Sequence, residues 1–520
     1  MELFAPTIKD AYKIGHKDQY AKGTEVVYSN LTARSNTHSN VPDSQGVSFI
    51  GLQFVIKDIL IDRWNNTFFL RQEDTVVNQY KNIVSHVLGY AVPVEHIRAL
   101  HQLGYLPIEI RALKEGSFVP YKVPLFTIYN TLPEFYWVTN MLETMLSAET
   151  WGMITSATTY REYRKNFIKY AKETGASLEG VPFQAHDFSM RGMSSSISAA
   201  MSGFAALAGG SYGTDTLPAI QLAQEYYNAD LDGGIVGCSV NATEHSVMCS
   251  NSKDDEIGTF RRLLTETYPE GILSIVSDTW DFWKVVTEYL PTLGTEIMAR
   301  EGMLVIRPDS GDPVKIITGY TDGEYCTHEG KLYEWFDEED LPEDCVGKEL
   351  QEHELKGLIE CLWDTFGGTT NEKGYKELDE HIGAIYGDAI TLERQVEILE
   401  RLKNKGFSSG NIVLGVGSYT YQMVTRDTHG MAIKATYVEI DGEGVEIFKD
   451  PKTDDGTKKS AKGLMCVLPT SDGESFRLVD QVPKAVADEG YLEVVFKDGK
   501  LCKEYTLEEV RETVKSFEDF

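Results

Sequence analysis

Residues 303–313 read Met-Leu-Val-Ile-Arg-Pro-Asp-Ser-Gly-Asp-Pro. A short apolar run here breaks directly into polar and turn-forming residues. A buried strand of a barrel or parallel sheet ends in this way when its carboxyl end carries part of a site. The segment therefore predicts a buried strand followed by a functional loop.

The same transition from apolar to polar residues recurs along the chain. In any single case Asp, Gly and Pro could merely form turns. Five such cases in series instead favour one site that several strands supply, and their alternation with helical patterns favours a β/α barrel. The other apolar runs are residues 234–240, 271–276, 381–385 and 411–414, which lead to Asn241, Ser277-Asp278, Gly387-Asp388 and Gly415-Val416-Gly417-Ser418.

The chain of 520 residues is long enough for two or more intertwined domains. We predict the α/β class, with an irregular β/α barrel over residues 146–429. A flanking α+β domain is predicted from residues 1–145 and 430–520. Helical periodicity predicts a long helix over residues 136–175 and a terminal helix over 506–517.

Residues 318–374 differ from the rest of the barrel because they are rich in Asp and Glu. We predict an acidic insertion between two barrel strands, forming a largely solvated surface excursion. The alternative is a lid over the site.

The net charge of −31 argues against a nucleic-acid surface. No stretch approaches the roughly 18–20 apolar residues of a membrane span, and no signal peptide is expected at the N-terminus. The seven cysteines are scattered and form no Cys-x-x-Cys pair. They indicate neither a zinc site nor a disulfide framework, and they suit a reducing, cytoplasmic compartment.

In so acidic a chain, cations at strand ends are candidate phosphate ligands, since Arg offers the fork that phosphate oxygens prefer. A surface ion pair is the alternative for each of them. The Gly-x-Gly-Ser turn at residues 415–418 follows a strand, and backbone N–H groups at such a turn can hold a phosphate. The candidate cations are Arg34, Arg191, Arg307, Arg426 and Lys434.

Carboxylates are expected at the same strand ends, where they would repel one another unless cations or hydroxyl donors share the site. Arginines mixed with carboxylates therefore suggest a sugar phosphate with Mg²⁺. His245 lies just beyond a strand and could be a general base, a phosphate ligand, a phospho-acceptor or a structural loop residue. The carboxylates are Asp187, Asp215, Asp278, Asp309 and Asp388.

Short motifs that follow one another along nearly the whole chain carry a family resemblance. They lie at residues 10–13, 51–53, 106–110, 186–188, 191–192, 213–216, 244–246, 276–278, 306–311, 387–388, 425–427 and 448–451. On these motifs the chain resembles the nicotinamide phosphoribosyltransferases, a type II phosphoribosyltransferase family.

The resemblance implies an enzyme of NAD salvage. It would transfer the phosphoribosyl group of 5-phosphoribosyl 1-pyrophosphate to nicotinamide, giving nicotinamide mononucleotide and pyrophosphate. It also implies Mg²⁺ as cofactor, ATP as co-substrate through a phosphohistidine, and a homodimer with shared active sites.

The resemblance also implies roles for individual residues. Phe188 and the second subunit's Tyr12 would sandwich the pyridine ring, and Asp215 would accept from the carboxamide. Catalytic roles would fall to His245, Asp278 and Asp309. The remaining implied contacts are Arg307, Pro308, Asp309, Gly387 and Asp388 on the ribose and nucleotide, and Arg34, Arg191, His245, Arg307, Gly417, Ser418, Arg426 and Lys434 on the phosphates.

Two rival functions remain at this point. One is nicotinate phosphoribosyltransferase, against which Asp215 argues because a carboxylate repels nicotinate. The other is a non-catalytic nucleotide-binding protein on the same scaffold. The chain departs from the animal enzymes of the family at Gly417-Ser418-Tyr419, where they have a longer glycine run, and in its longer acidic insertion. The direct metal ligands are left open.

Overall fold

The computed structural model of the chain describes residues 2–335, 347–387, 390–448 and 461–518. A parallel sheet and a larger antiparallel sheet form its framework. Each sheet packs against its own cluster of buried apolar side chains. Within the described ranges, no helix is both long and apolar enough to cross a membrane.

The parallel sheet has six strands, all paired in parallel. Single parallel bridges from Asp187 to Thr214 and from Gly213 to Cys238 continue it beyond its first strand. Because Cys238 leads within three residues to the strand at the opposite edge, the sheet curls towards closure. In spatial order the strands are Ala185–Asp187, Ile412–Val416, Ile382–Tyr386, Leu304–Arg307, Leu273–Val276 and Asn241–Ala242.

The antiparallel sheet joins strands from both ends of the chain. Their spatial order is Glu443–Glu446, Ala432–Ile440, Thr24–Thr32, Pro124–Asn130, Ile108–Ala112, Glu493–Lys497 and Lys500–Leu501. This sheet and the curled parallel sheet confirm the predicted fold class of an irregular β/α barrel with a flanking α+β portion. Short two-stranded pairs add Gly46–Ser48 with Phe118–Pro120, and Met465–Pro469 with Phe476–Asp480.

Helices cover both sheets. The longest, Tyr136–Thr174, runs for 39 residues and stops where Gly175 adopts a left-handed conformation with φ of 78°. The predicted domain boundary at residues 145 and 146 falls inside this helix, so the division into domains stays a prediction. The other helices of eight or more residues in the described part of the chain are Val55–Arg63 (a π-helix), Glu73–Leu88, Glu95–Leu103, Ser196–Ala208, Leu217–Tyr227, Leu358–Phe366, Leu392–Asn404 and Leu507–Ser516.

The acidic insertion is more ordered than a solvated excursion. Within residues 318–374 it contains the strands Tyr325–His328, Lys331–Glu334, Glu349–Leu350 and Gly368–Thr370, the last of which pairs with Lys376–Leu378 just beyond the predicted insertion. Its helix Leu358–Phe366 buries Leu358, Ile359 and Leu362 completely in the barrel core. For that helix the prediction of a largely solvated surface is wrong. The prediction followed the acidic composition averaged over the whole insertion, whereas this helix has apolar residues at helical spacing that form a buried face.

The insertion packs at the amino edge of the parallel sheet. Glu324 accepts two hydrogen bonds from Arg401, at 2.8 and 2.6 Å, and Lys405 donates to the carbonyl of Leu355. Arg401 and Lys405 lie at the end of the helix that leads into the strand Ile412–Val416, and thus beside the amino ends of the strands. This position is opposite the carboxyl edge and disfavours a lid over a site there.

One predicted strand does not form as expected. Residues 234–240 have no strand beyond the single bridge at Cys238, and the strand Asn241–Ala242 follows instead. Residues 231–235 are exposed. Within the run Ile235 and Val240 are exposed, whereas Val236 is buried in the core cluster of the antiparallel sheet and not in that of the barrel.

Candidate active site

A cavity of about 780 Å³ opens at the carboxyl edge of the parallel sheet. Most of its wall is formed by the ends of these strands and the loops that follow them, which is where barrel enzymes carry their sites. The lining residues are Phe188, Met190, Arg191, Gly192, Asp215, Arg307, Asp309, Gly387, Gly417, Ser418 and Tyr419.

The ring of Phe188 packs directly against two glycine residues. A Cβ atom added to Gly415 would come within 2.2 Å of the ring, and one added to Gly387 within 3.1 Å. The backbone N–H of Phe188 donates to the carbonyl of Val416 at 3.0 Å and fixes where the ring begins. The Cδ2–Cε2 edge of the ring therefore lies against the strand ends, and an aromatic ring held in this way at the cavity wall can stack with a flat ligand.

Asp215 presents a carboxylate beside this ring. His186 contacts its Oδ1 at 3.0 Å, and the Ser239 hydroxyl donates to the same oxygen. Burial by itself raises the pKa of Asp215, but the hydrogen bonds from His186 and Ser239 outweigh it and hold that pKa below its ordinary value. The carboxylate is thus an ionised hydrogen-bond acceptor at neutral pH.

Asp278 ties two loops of the site together. Its Oδ2 accepts from the backbone N–H of Asp309 at 2.9 Å and from the Ser310 hydroxyl at 2.6 Å. Its Oδ1 lies 3.7 Å from Nε2 of His245, whose own Nδ1 is 3.2 Å from the hydroxyl of Thr279. The Asp278 side chain is only 3% exposed, whereas that of His245 is 47% exposed. A buried carboxylate therefore supports a histidine that is accessible to a ligand.

Arg307 extends from the strand Leu304–Arg307 into the cavity. One guanidinium nitrogen, Nη2, donates to the carbonyl of Thr243 at 2.6 Å. Its buried Nε has no hydrogen-bond partner within the described residues. A partly anchored guanidinium with an unused buried donor suits an anionic ligand such as phosphate.

A close approach between two loops forms another wall. A Cβ on Gly192 would lie 1.9 Å from Oγ of Ser418, so the loop after Phe188 and the Gly417-Ser418 turn are in direct contact. Arg191, in the short helix Met190–Gly192, is exposed beside them. Backbone donors at Gly417 and Ser418 and the Arg191 guanidinium thus share one side of the cavity.

Several residues predicted for the site lie away from this cavity in the same chain. Tyr12 is 65% exposed in the short helix Ala11–Gly15. Arg34 and Lys434 line a second cavity of about 480 Å³, together with Lys122. Arg426 does not line the first cavity and contacts Asp427 at 2.9 Å.

Other predicted residues have different outcomes. Pro308 is buried behind the Arg307 strand end. Asp187 is also buried and accepts from the Ser189 N–H and the Thr214 hydroxyl, both at 3.0 Å, which makes it a structural carboxylate. Asp388 and residues 449–451 lie outside the described residues.

The side chains of the site that could act as metal ligands indicate how Mg²⁺ would be held. In the described ranges, no group of three or more His, Cys, Asp or Glu side chains could enclose a metal ion. Protein Mg²⁺ is commonly held by one or two carboxylates together with substrate phosphates. The cavity, with Asp309 beside Arg307 and Arg191, fits a metal that arrives on a phosphorylated substrate.

Comparison with known proteins agrees with this geometry. Residues 183–500 match the model of the nicotinate phosphoribosyltransferase (NAPRTase) family. A protein of Acinetobacter baylyi named nicotinamide phosphoribosyltransferase is 47% identical, over 98% of this chain and 97% of the relative. A protein of Xanthomonas campestris pv. campestris with the same name is 32% identical over 96% of each chain. The chain belongs to the nicotinate phosphoribosyltransferase family.

Solved structures agree at the level of the fold. The nicotinate-nucleotide pyrophosphorylase of Pyrococcus furiosus has a TM-score of 0.57 at 15% identity, covering 99% of this chain and 96% of that one. Human nicotinic acid phosphoribosyltransferase has a TM-score of 0.53 at 14% identity, covering 98% and 93%. These structures show the fold alone, and the curated relatives identify the chain as a phosphoribosyltransferase.

Some site residues of this family member carried no predicted role. His186 is part of the His-Asp-Phe motif, but its bond to Asp215 depends on how two neighbouring segments meet. Ser239 lies in the run that was wrongly predicted as a strand. Each lies next to a residue that bridges in the parallel sheet, Asp187 or Cys238, and such a pairing leaves no signal in the sequence from which either role could have been predicted.

Proposed function

We propose that this phosphoribosyltransferase uses nicotinamide and 5-phosphoribosyl 1-pyrophosphate to make nicotinamide mononucleotide and pyrophosphate in NAD salvage. The observation that carries the proposal is Asp215, an ionised carboxylate beside the Phe188 ring. A carboxamide N–H₂ can donate to this carboxylate, whereas the carboxylate of nicotinate would meet a like charge. The two relatives described above are named for nicotinamide.

The chemistry is a displacement at the anomeric carbon of the ribose. The pyridine nitrogen forms a bond to that carbon, and the carbon–oxygen bond to pyrophosphate breaks with its electrons leaving on pyrophosphate. Positive charge develops on the sugar, and the Asp309 carboxylate, which lines the cavity, would stabilise it. Mg²⁺, when bound, neutralises charge on the pyrophosphate.

Phosphate binding would fall to other residues that line the same cavity. Gly417 and Ser418 would hold the 5′-phosphate, and Arg191 and Arg307 would face the pyrophosphate. Their positive charge offsets locally the −31 net charge that otherwise repels an anionic substrate. Arg426 would join them only if its ion pair with Asp427 opens.

We further propose a homodimer in which each cavity is completed by the partner. Tyr12 is exposed, and Arg34 lies in a separate basic cavity of the same chain, where Arg34 Nε donates to the carbonyl of Gly430 at 2.6 Å. Lys434 and Lys122 line the same second cavity. Placed across an interface, Tyr12 and the residues of this second cavity would add a second aromatic ring and three further cations to the site.

ATP coupling is a separate part of the proposal. His245 is accessible and is backed by the buried carboxylate of Asp278, which would stabilise an imidazolium or orient the ring. Such a histidine could accept a phosphoryl group from ATP. We also expect a cytoplasmic location, as the cysteine pattern predicts; the six cysteines in the described ranges form no disulfide.

Product mass tests the proposed reaction. The protein is incubated with 5-phosphoribosyl 1-pyrophosphate and Mg²⁺ and with either nicotinamide or nicotinate, and the products are weighed by mass spectrometry. We expect nicotinamide mononucleotide to form much faster than its acid counterpart. Preference for nicotinate would favour the rival function, nicotinate phosphoribosyltransferase, after which the family is named. The absence of product with either base would contradict both functions.

A further inference from the structure

We infer that His186 is a positioning residue that sets the orientation of Asp215 and thereby the preference for a carboxamide over a carboxylate. This inference rests on the proposed function. It assigns the choice between the two bases to a pair of side chains rather than to Asp215 alone.

The placement of His186 is tightly constrained. It lies in the middle of the strand Ala185–Asp187 and is 8% exposed. Its ring centroid is 4.6 Å from that of Phe188, and its Nδ1 would be 2.6 Å from a Cβ added to Gly213. The imidazole is therefore held between an aromatic ring and a glycine backbone, with Nε2 directed at Asp215.

Both donors that reach the Asp215 carboxylate act on the same oxygen. His186 Nε2 is 3.0 Å from Oδ1, and the Ser239 hydroxyl donates to Oδ1 as well. Oδ2 is thus the oxygen left to accept a hydrogen bond from a ligand in the cavity. Two donors also keep the carboxylate charged, which is the property that repels nicotinate.

Asp215 needs such support because of where it lies. Its backbone is fixed, because Thr214 bridges to Asp187 and the Asp215 N–H donates to the Asp187 carbonyl at 2.9 Å, but these bonds do not hold its side chain. The Asp215 side chain is 44% exposed, so packing alone does not fix its rotamer. Removing the His186 bond would let the carboxylate turn, and a hydrogen bond to a charged group typically changes affinity by about 10-fold or more.

A purely structural role for His186, as packing for Phe188, predicts something different. Loss of packing would move the ring and impair both bases alike. Loss of positioning would impair nicotinamide selectively and leave nicotinate little changed. The two readings are separated by the ratio of kcat/KM for the two bases.

Two matched substitutions make the test. In H186Q the side-chain amide nitrogen can reach the place of Nε2, whereas in H186N it reaches only the place of Nδ1. Both are measured in the full-length protein with saturating 5-phosphoribosyl 1-pyrophosphate and Mg²⁺, with thermal unfolding to verify the fold. We expect H186N to raise the KM for nicotinamide about 10-fold with little change in kcat. H186Q should restore most of the wild-type ratio.

A D215N background shows whether His186 acts through Asp215. If it does, adding H186N to D215N should change the nicotinamide-to-nicotinate ratio by less than about twofold. S239A removes the other hydrogen-bond donor to Asp215 Oδ1. Like H186N, it should lower the nicotinamide-to-nicotinate ratio of kcat/KM, and because Ser239 is exposed the substitution should not disturb folding. Effects of H186N and D215N that multiply would overturn the inference.

The possible results distinguish failure of the proposed function from failure of the inference about His186. A wild-type enzyme that prefers nicotinate would overturn the proposed function and this inference with it. A wild-type preference for nicotinamide that H186N and S239A leave unchanged would overturn only the inference. Equal losses with both bases would assign His186 to packing.

Discussion

At the scale of single residues, Asp278 connects the parts of the site. One of its oxygens holds the backbone of Asp309 and the hydroxyl of Ser310, and the other faces His245. Loss of this buried carboxylate would leave the Asp309 N–H and the Ser310 hydroxyl without their acceptor, which costs more than a surface ion pair contributes. Asp278 therefore couples the position of His245 to the loop that carries Asp309.

Replacement of His245 by Ala should remove the ATP-dependent part of the activity. The Asp309 loop keeps its bonds to Asp278, so basal phosphoribosyl transfer should persist within a few-fold. Rates with and without ATP measure the effect, and H328A, in an exposed strand of the insertion, is the control. ATP stimulation that survives in H245A would place the phospho-acceptor elsewhere.

The sequence predicted the residues that directly follow strands better than those that do not. Arg307, Asp309 and Gly417 occupy strand ends and line the cavity as expected. His186 and Ser239 carried no predicted role because their bonds to Asp215 cross between segments joined by single bridges. Pairings between distant segments leave no local periodicity in the chain.

At the scale of elements, the strand Ile412–Val416 leaves room for the Phe188 ring because Gly415, within this strand, has no side chain. The Phe188 ring forms the part of the cavity wall that we propose binds the base. Gly415 and Gly387, the latter after the adjacent strand, both lie against the Cδ2–Cε2 edge of the Phe188 ring. The long helix and the terminal helix formed where predicted, since their apolar periodicity continues over many turns. The run at residues 234–240 did not form a strand, because composition alone does not fix a pairing partner.

Substitution of Gly415 by Ala should displace the Phe188 ring. The added Cβ would lie 2.2 Å from the ring and 2.8 Å from Cα of Gly387, so both must shift. We expect the KM for nicotinamide to rise about 10-fold and unfolding to become easier by about 1–3 kcal/mol. Steady-state kinetics and chemical denaturation measure the two effects.

Gly294 provides a matched control for this substitution. A Cβ there meets no heavy atom within 4 Å, and the residue begins the helix Gly294–Met298. G294A should leave the KM unchanged. An unchanged KM in G415A would mean that the Phe188 ring does not form the base-binding wall.

At the scale of the whole molecule, the cations and aromatic residues expected of one active site are divided between two surfaces. Phe188 and Asp215 line the barrel cavity, whereas Tyr12 is exposed elsewhere and Arg34 lines the second cavity. In a symmetric dimer the same two surfaces meet twice. The division is therefore what a shared site requires.

Mixing two inactive variants tests the shared site. Y12A damages the surface that a chain offers to its partner, and F188A damages the cavity of the chain itself. After subunits are exchanged, half of the dimers are mixed and each has one intact site, so about a quarter of wild-type activity should return. The control pair F188A and D215S damages the same half and should not complement. Equal behaviour of both pairs would contradict the shared site.

Stability should fall in acid because of His429. This residue is fully buried, its Nδ1 contacts the Tyr121 hydroxyl at 2.9 Å, and burial lowers the pKa of His429 to about 4. The unfolded chain, with an ordinary histidine pKa of about 6.5, binds the proton more readily. The free energy of unfolding should therefore decrease as the pH falls from about 6.5 to about 4.

Chemical denaturation at a series of pH values measures this dependence. H429Q should reduce the slope of the free energy of unfolding against pH, and the exposed-site control H328Q should not. Equal slopes in the two variants would contradict the assignment to His429.

A crystal structure of the protein with nicotinamide mononucleotide and pyrophosphate tests the central claim most directly. The account predicts that the pyridine ring stacks on Phe188 and that the carboxamide nitrogen lies about 3 Å from Asp215 Oδ2, with the partner subunit closing the cavity. A nucleotide bound with its carboxamide turned away from Asp215, or in a different cavity, would contradict it.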